Sequence, residues 1–127
     1  MDWIQQAVKD FGASIGVEEL VLDESQGVEL TLDSGELVGI SHLPDTATPE
    51  MLVYATAPLH FSPLRQLEKA LRLANARQGE PWLAQTAISN GRLMLAMRLP
   101  ARLFDLPALD DAVSRLMAMQ QEAADAG

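Results

Sequence analysis

Residues 51–77 read MLVYATAPLHFSPLRQLEKALRLANAR, and the fold turns on how this stretch is divided. Met51 to Ala57 is an apolar run with β-branched and aromatic content, too short for a helix of its own, so it reads as a buried strand. Pro58 and Pro63 bracket a loop. Ser62 suits a helix N-cap, and Pro63 suits the first turn, where its missing N–H would have no partner anyway. A helix is predicted from there to about Arg77. Leu64, Leu67 and Leu71 recur at three and four residues and form one stripe, widened by Ala70 and Leu73. Gln78-Gly79-Glu80-Pro81 stops it. Strands are expected on both sides of this central helix.

Upstream, residues 2–14 read as an amphipathic helix that Asp2 can cap. Ile4, Val8, Phe11 and Ile15 fall at helical spacing, with Trp3 and Ala7 as a second apolar edge. Gly12 and Gly16 place its end between them. Leu20-Val21-Leu22-Asp23 is a short extended piece, and Ser25-Gln26-Gly27 a turn. Val28 to Asp33 alternates with period two: Val28, Leu30 and Leu32 inward, Glu29, Thr31 and Asp33 outward. Ser34-Gly35 makes a tight connection to a second strand, Glu36 to Leu43, with Val38 and Ile40 on one face and Leu37 and Leu43 on the other. After a polar loop from Pro44 to Pro49, Met51 to Ala57 completes an antiparallel meander.

Downstream, Trp82–Ser89 and Arg92–Leu99 flank Asn90-Gly91, the strongest short hairpin signal in the chain, because both residues tolerate positive φ. Pro100 ends the second of these strands. A last helix spans Leu106 to Ala123, capped by Asp105, with Leu106, Leu109, Val113, Leu116 and Met117 as its apolar face. The order predicts an α+β fold: helix, three-stranded meander, helix, two-stranded hairpin, helix, in one twisted, mostly antiparallel sheet with helices packed on it. No repeat or linker divides it, so residues 1–127 read as a single domain.

Hydrophobic residues make up 48% of the 127, enough for a core, and no apolar run approaches a membrane span. There is no cysteine, which removes disulfides and thiol chemistry. The N-terminus has no basic segment followed by an apolar one, so no secretory signal is read and the cytoplasm is the expected compartment. Net charge is −9, and its distribution is uneven. Residues 1–50 hold eleven acids and one base, giving −10; residues 51–127 hold seven acids and eight bases, giving +1. A nucleic-acid partner needs a basic surface and is disfavoured.

Catalytic residues are scarce. His42 and His60 belong to no metal-spaced motif, and no phosphate-binding glycine string or nucleophile elbow occurs. The adjacent pairs Glu18-Glu19, Asp23-Glu24 and Asp110-Asp111 fit solvation or capping, since neighbours in a helix or strand do not converge on one substrate. Met94, Met97, Met117 and Met119 read as core filler. No catalytic residue, metal site or cofactor is expected. What remains is more apolar surface than one small core absorbs, which points to a second subunit or a bound segment.

Three places carry a family resemblance: Leu22-Asp23-Glu24 before the first strand; Leu52-Val53-Tyr54-Ala55-Thr56-Ala57-Pro58-Leu59 leading to Leu67 through Asn75; and the hairpin around Asn90-Gly91. In this order, and with the size and acidity of the chain, they resemble the class I type III secretion chaperones of Gram-negative bacteria, typified by CesT and SycE. The resemblance runs from about Val8 to Met119. It implies a non-enzymatic homodimer that binds a segment near the N-terminus of a secreted effector in extended form, with the secretion apparatus as a further partner. It implies a dimer interface on the central helix and the following strand, here Leu64, Leu67, Leu71, Trp82 and Leu83. It also implies effector grooves on the first helix and first three strands, here Trp3, Ile4, Val28, Leu30, Leu32, Val38 and Ile40. Two alternatives stay open: a small-molecule-binding α+β enzyme or sensor domain, and an adaptor that sequesters a transcriptional regulator.

Overall fold

The computed structural model describes residues 2–17, 20–22, 27–32, 36–43, 49–59, 63–76 and 83–126. The elements run α1 (Asp2–Ser14), β1 (Gly27–Thr31), β2 (Leu37–Leu43), β3 (Glu50–Pro58), α2 (Pro63–Ala76), β4 (Leu83–Ser89), β5 (Arg92–Pro100), a short 3₁₀ turn (Ala101–Leu103) and α3 (Leu106–Ala126). The fold is the expected α+β arrangement. Several features read from the sequence lie outside the described residues: the Ser25-Gln26 turn, the Ser34-Gly35 connection, residues 44–48, His60, the Ser62 cap, the 78–81 stop, Trp82, and the pairs Glu18-Glu19 and Asp23-Glu24.

The five strands form one sheet in the order β1-β2-β3-β5-β4, with every neighbouring pair antiparallel. The meander and the hairpin are joined through β5, which pairs with β3 from Glu50↔Pro100 to Pro58↔Arg92. β4 is thereby pushed to the far edge, parallel to β3 and one strand away. Parallel strands need a long crossover rather than a tight turn, and α2 supplies it. Pro58 and Pro100 sit at strand ends, where a missing N–H costs little. Asn90 and Gly91 both have positive φ (53° and 73°), as a two-residue hairpin turn demands.

The sheet has one covered face. Val38, Ile40 and His42 of β2, Met51, Val53, Ala55 and Ala57 of β3, and Leu93, Leu95, Met97 and Leu99 of β5 are buried there, each at the alternate positions that share a side. α3 lies across β3 and β5, flanked by α1 and α2. It contributes Leu109, Ala112, Leu116, Met119 and Ala123, and α1 contributes Ile4, Ala7, Val8 and Phe11. Ile15, expected on the α1 stripe, is exposed because the helix ends at Ser14. Phe104, between the 3₁₀ turn and α3, is among the largest fully buried side chains. Asp105 caps α3 as expected: its Oδ1 accepts from the Ala108 N–H at 2.8 Å.

Two glutamines are buried among these apolar groups. Gln120 of α3 donates from Nε2 to the carbonyls of Ala55 and Leu93, both at 2.9 Å, and so ties the helix to β3 and β5 at once. Gln66 of α2 donates to the Pro58 carbonyl at 3.4 Å. Gln66, Ala70 and Ala74 form the line by which α2 meets the core. That line differs from the expected leucine stripe. Leu67 and Leu73 pack partly against the core, whereas Leu64 and Leu71 face solvent. Among the described residues, no helix is long and apolar enough to cross a membrane.

Candidate functional site

Among the described residues each edge strand of the sheet, β1 and β4, has a neighbouring strand on one side only, and apolar side chains gather at each. At the β1 end the strand is five residues long and pairs only with β2. Val28 and Leu30 lie opposite Ile40 and Val38, so they share the helix-side face. They are half-buried and pack against the core cluster, while Glu29 and Thr31 face outward, exposed. Leu32, also half-buried, follows the strand, and its N–H donates to the Glu36 carbonyl at 2.8 Å. Trp3 on α1 is 50% exposed.

Of the residues expected to form an effector groove, Trp3, Val28, Leu30 and Leu32 therefore keep access to a partner. Ile4, Val38 and Ile40 have their side chains in the core. Alternation along β2 correctly puts Val38 and Ile40 on one face, but α1 and α3 occupy that side of the protein.

At the β4 end, Leu64 is 80% and Leu71 51% exposed. Seven residues apart, they lie two turns apart on one side of α2. Glu68, between them, pairs with Arg72 at 2.7 Å on the surface. Ile88 of β4, exposed on the helix-side face, extends the apolar area, a contribution that sequence reading missed although it shares that face with Thr86, two residues before it. Leu67 is half-buried. Trp82 lies outside the described residues, as does the side chain of Leu83.

The sheet face away from the helices has its own chemistry. Gln85, Ala87, Met94 and Ala96 of this face, with the intervening Thr86, line an open hollow of about 410 Å³ on β4 and β5. Met94 belongs to this surface, unlike Met97 and Met119, which are core. At the other end of the same face, the Tyr54 hydroxyl donates to Glu29 Oε2 at 2.7 Å. Burial first, then that hydrogen bond and the charge of Glu29, push the Tyr54 hydroxyl well above the usual tyrosine range. Arg92 donates to the hydroxyl and carbonyl oxygens of Thr56 at 3.0 and 3.3 Å. Among the described residues, no three His, Asp or Glu side chains come together as a metal site requires.

Solved proteins share this architecture. The chain is similar to a structure of the ExsC–ExsE complex (TM-score 0.75, 18% identity, 96% of this chain and 91% of that one). It is also similar to the HopA1–SchA chaperone–effector complex (0.73, 18%, 98% and 94%). A third likeness is to the Yersinia pestis type III secretion chaperone SycH in complex with a fragment of YscM2 (0.67, 17%, 98% and 99%). At these identities the likeness is one of fold. No curated protein sequence matches the chain. The class is settled by the sequence itself, which matches the family model of the type III secretory system chaperone SycN over residues 3–124. The chain belongs to that family of secretion chaperones.

Proposed function

We propose that this protein is a non-enzymatic, cytoplasmic bacterial chaperone that acts as a homodimer. It binds the N-terminal region of a type III secreted effector in extended form and keeps it soluble and competent for secretion. The observation that carries the reading is the β1 end. Among the described residues this short edge strand has a neighbouring strand on one side only, and the half-buried Val28, Leu30 and Leu32 offer apolar contact beside it. A strand added there gains main-chain hydrogen bonds, and side-chain pockets select its sequence. The acidic N-terminal half, −10 over residues 1–50, favours a client segment with basic residues around its apolar anchors. At the opposite end, Leu64, Leu71 and Ile88 supply an apolar surface of the kind a second copy covers in an obligate dimer. The single-domain organisation over residues 1–127 and a contact with the secretion apparatus belong to the same proposal.

The test is purification of the tagged protein from its own cell under secreting conditions. Cross-linking mass spectrometry then maps what is bound, and light scattering gives the mass. The expected result is a two-to-one complex whose cross-links run from β1 and α1 to the first part of a secreted protein. A monomer that copurifies with no such protein would remove the proposal.

A further inference from the structure

The chain has a single tyrosine. Tyr54 of β3 lies opposite Gly39 of β2, and Gly39 lies opposite Glu29 of edge strand β1. The three form one line across three strands, on the sheet face away from the helices. The Tyr54 ring rests on the bare backbone at Gly39: a Cβ added there would collide with Tyr54 Cζ. The ring can therefore cross the middle strand, and its hydroxyl reaches Glu29 Oε2 at 2.7 Å. A hydrogen bond from a neutral phenol to a carboxylate is of the stronger, charge-assisted kind.

We propose that the Tyr54–Glu29 pair is a strap that fixes the register of β1, so that Tyr54 is a positioning residue for the edge on which a client strand adds. This rests on the client-binding reading above. The Leu32 N–H to Glu36 carbonyl bond sets the register at the turn end of β1, and away from the turn the backbone pairing of a five-residue edge strand holds it weakly. A slip of one residue is penalised because it turns Val28 and Leu30 away from the core. A slip of two residues preserves the alternation and exchanges one apolar side chain for the next. Such a slip brings Gly27 or Thr31 opposite Gly39 in place of Glu29, and neither carries a carboxylate. The strap distinguishes the two registers that hydrophobic alternation leaves nearly equal. An added strand reads the side chains of β1 through that register, so the strap also sets which apolar positions it meets.

Hydrogen exchange on the full chain, with no client present, tests this. In Tyr54→Phe the β1 amides exchange about fivefold to tenfold faster, the scale of one solvent-exposed hydrogen bond, while β3 and β5 amides are unchanged. Glu29→Gln, which keeps an acceptor and loses the charge, gives a smaller rise at the same amides. Gly39→Ala accelerates β1 exchange in the native background and adds little in a Tyr54→Ala background, because the ring it collides with is gone. The proposal is overturned if β1 is unaffected in Tyr54→Phe, if all strands accelerate together, or if Gly39→Ala acts equally in both backgrounds. These outcomes do not depend on a client: a strap upheld in a protein that binds no effector would leave only the chaperone reading refuted.

Discussion

The two edges of the sheet differ in what surrounds them. At β1 the apolar side chains are already half-committed to the core, and a tyrosine strap crosses from two strands away to hold the edge. Among the described residues β1 has a strand on one side only, and its Glu29 and Thr31 side chains are exposed. At β4 the crossover helix stands alongside, and Leu64 and Leu71 project into solvent from a flank of α2 beside its buried Gln66-Ala70-Ala74 line. There the side chains themselves are the available surface. An exposed strand edge suits a partner in extended form, whereas exposed leucines on a helix suit a partner with a preformed surface, such as a second copy.

The sharpest break of that contrast is at the α2 end. Leu64→Asp combined with Leu71→Asp is expected to weaken self-association by about 2–4 kcal/mol, the range of interface hot spots. Because both side chains are exposed, thermal stability of the monomer should change little. Light scattering across a dilution series measures the first and calorimetry the second. A dimer unchanged in the double variant would move the interface elsewhere.

The next effect is at β1. Leu30→Asp removes an apolar anchor and places a charge where it is half-buried, which is expected to weaken effector binding by about 2 kcal/mol. Circular dichroism must accompany that titration, since Leu30 also packs on the core. Thr31→Lys changes one charge on the same strand and leaves the Tyr54–Glu29 strap intact. It should weaken binding by under about 1 kcal/mol, and the difference should fade as salt rises. If the order of these two variants were reversed, charge rather than apolar contact would dominate at this edge.

The smallest effect is read by pH. Absorbance of the tyrosinate reports Tyr54 alone, since no other tyrosine is present. Its ionisation in the folded protein is displaced upward by burial and by Glu29, whereas in the unfolded chain it ionises near the ordinary value of ~10. The folded state therefore holds its proton where the unfolded state has lost it. Stability must then fall as pH rises past about 10, and the native stability is present below that. Denaturant melts at about pH 9 and about pH 11 should show this loss in the native protein and a smaller loss in Tyr54→Phe. The comparison between the two proteins removes the contribution of the lysines.

Local chemistry made much of this protein legible from its sequence. Asn90-Gly91 dictates a hairpin because few residues accept positive φ at both positions, and Asp105 dictates a helix start because its carboxylate is placed to accept a backbone N–H of the first turn. The alternation of Leu93, Leu95, Met97 and Leu99 fixes which side of β5 is inward. Each of these depends on residues a few positions apart. Tertiary structure decided the rest. Alternation identifies a face, yet whether that face is roofed depends on helices distant in sequence, so Ile4, Val38 and Ile40 became core while Val28, Leu30 and Leu32 stayed half-accessible. The insertion of β5 between β3 and β4 depends on where the crossover helix delivers the chain. The contact of Tyr54 with Gly39 and Glu29 joins residues far apart in sequence through strand register alone. A polar Gln66 lies on the buried line of α2 because the backbone of β3 offers it a carbonyl, a partner that no pattern of hydrophobicity records.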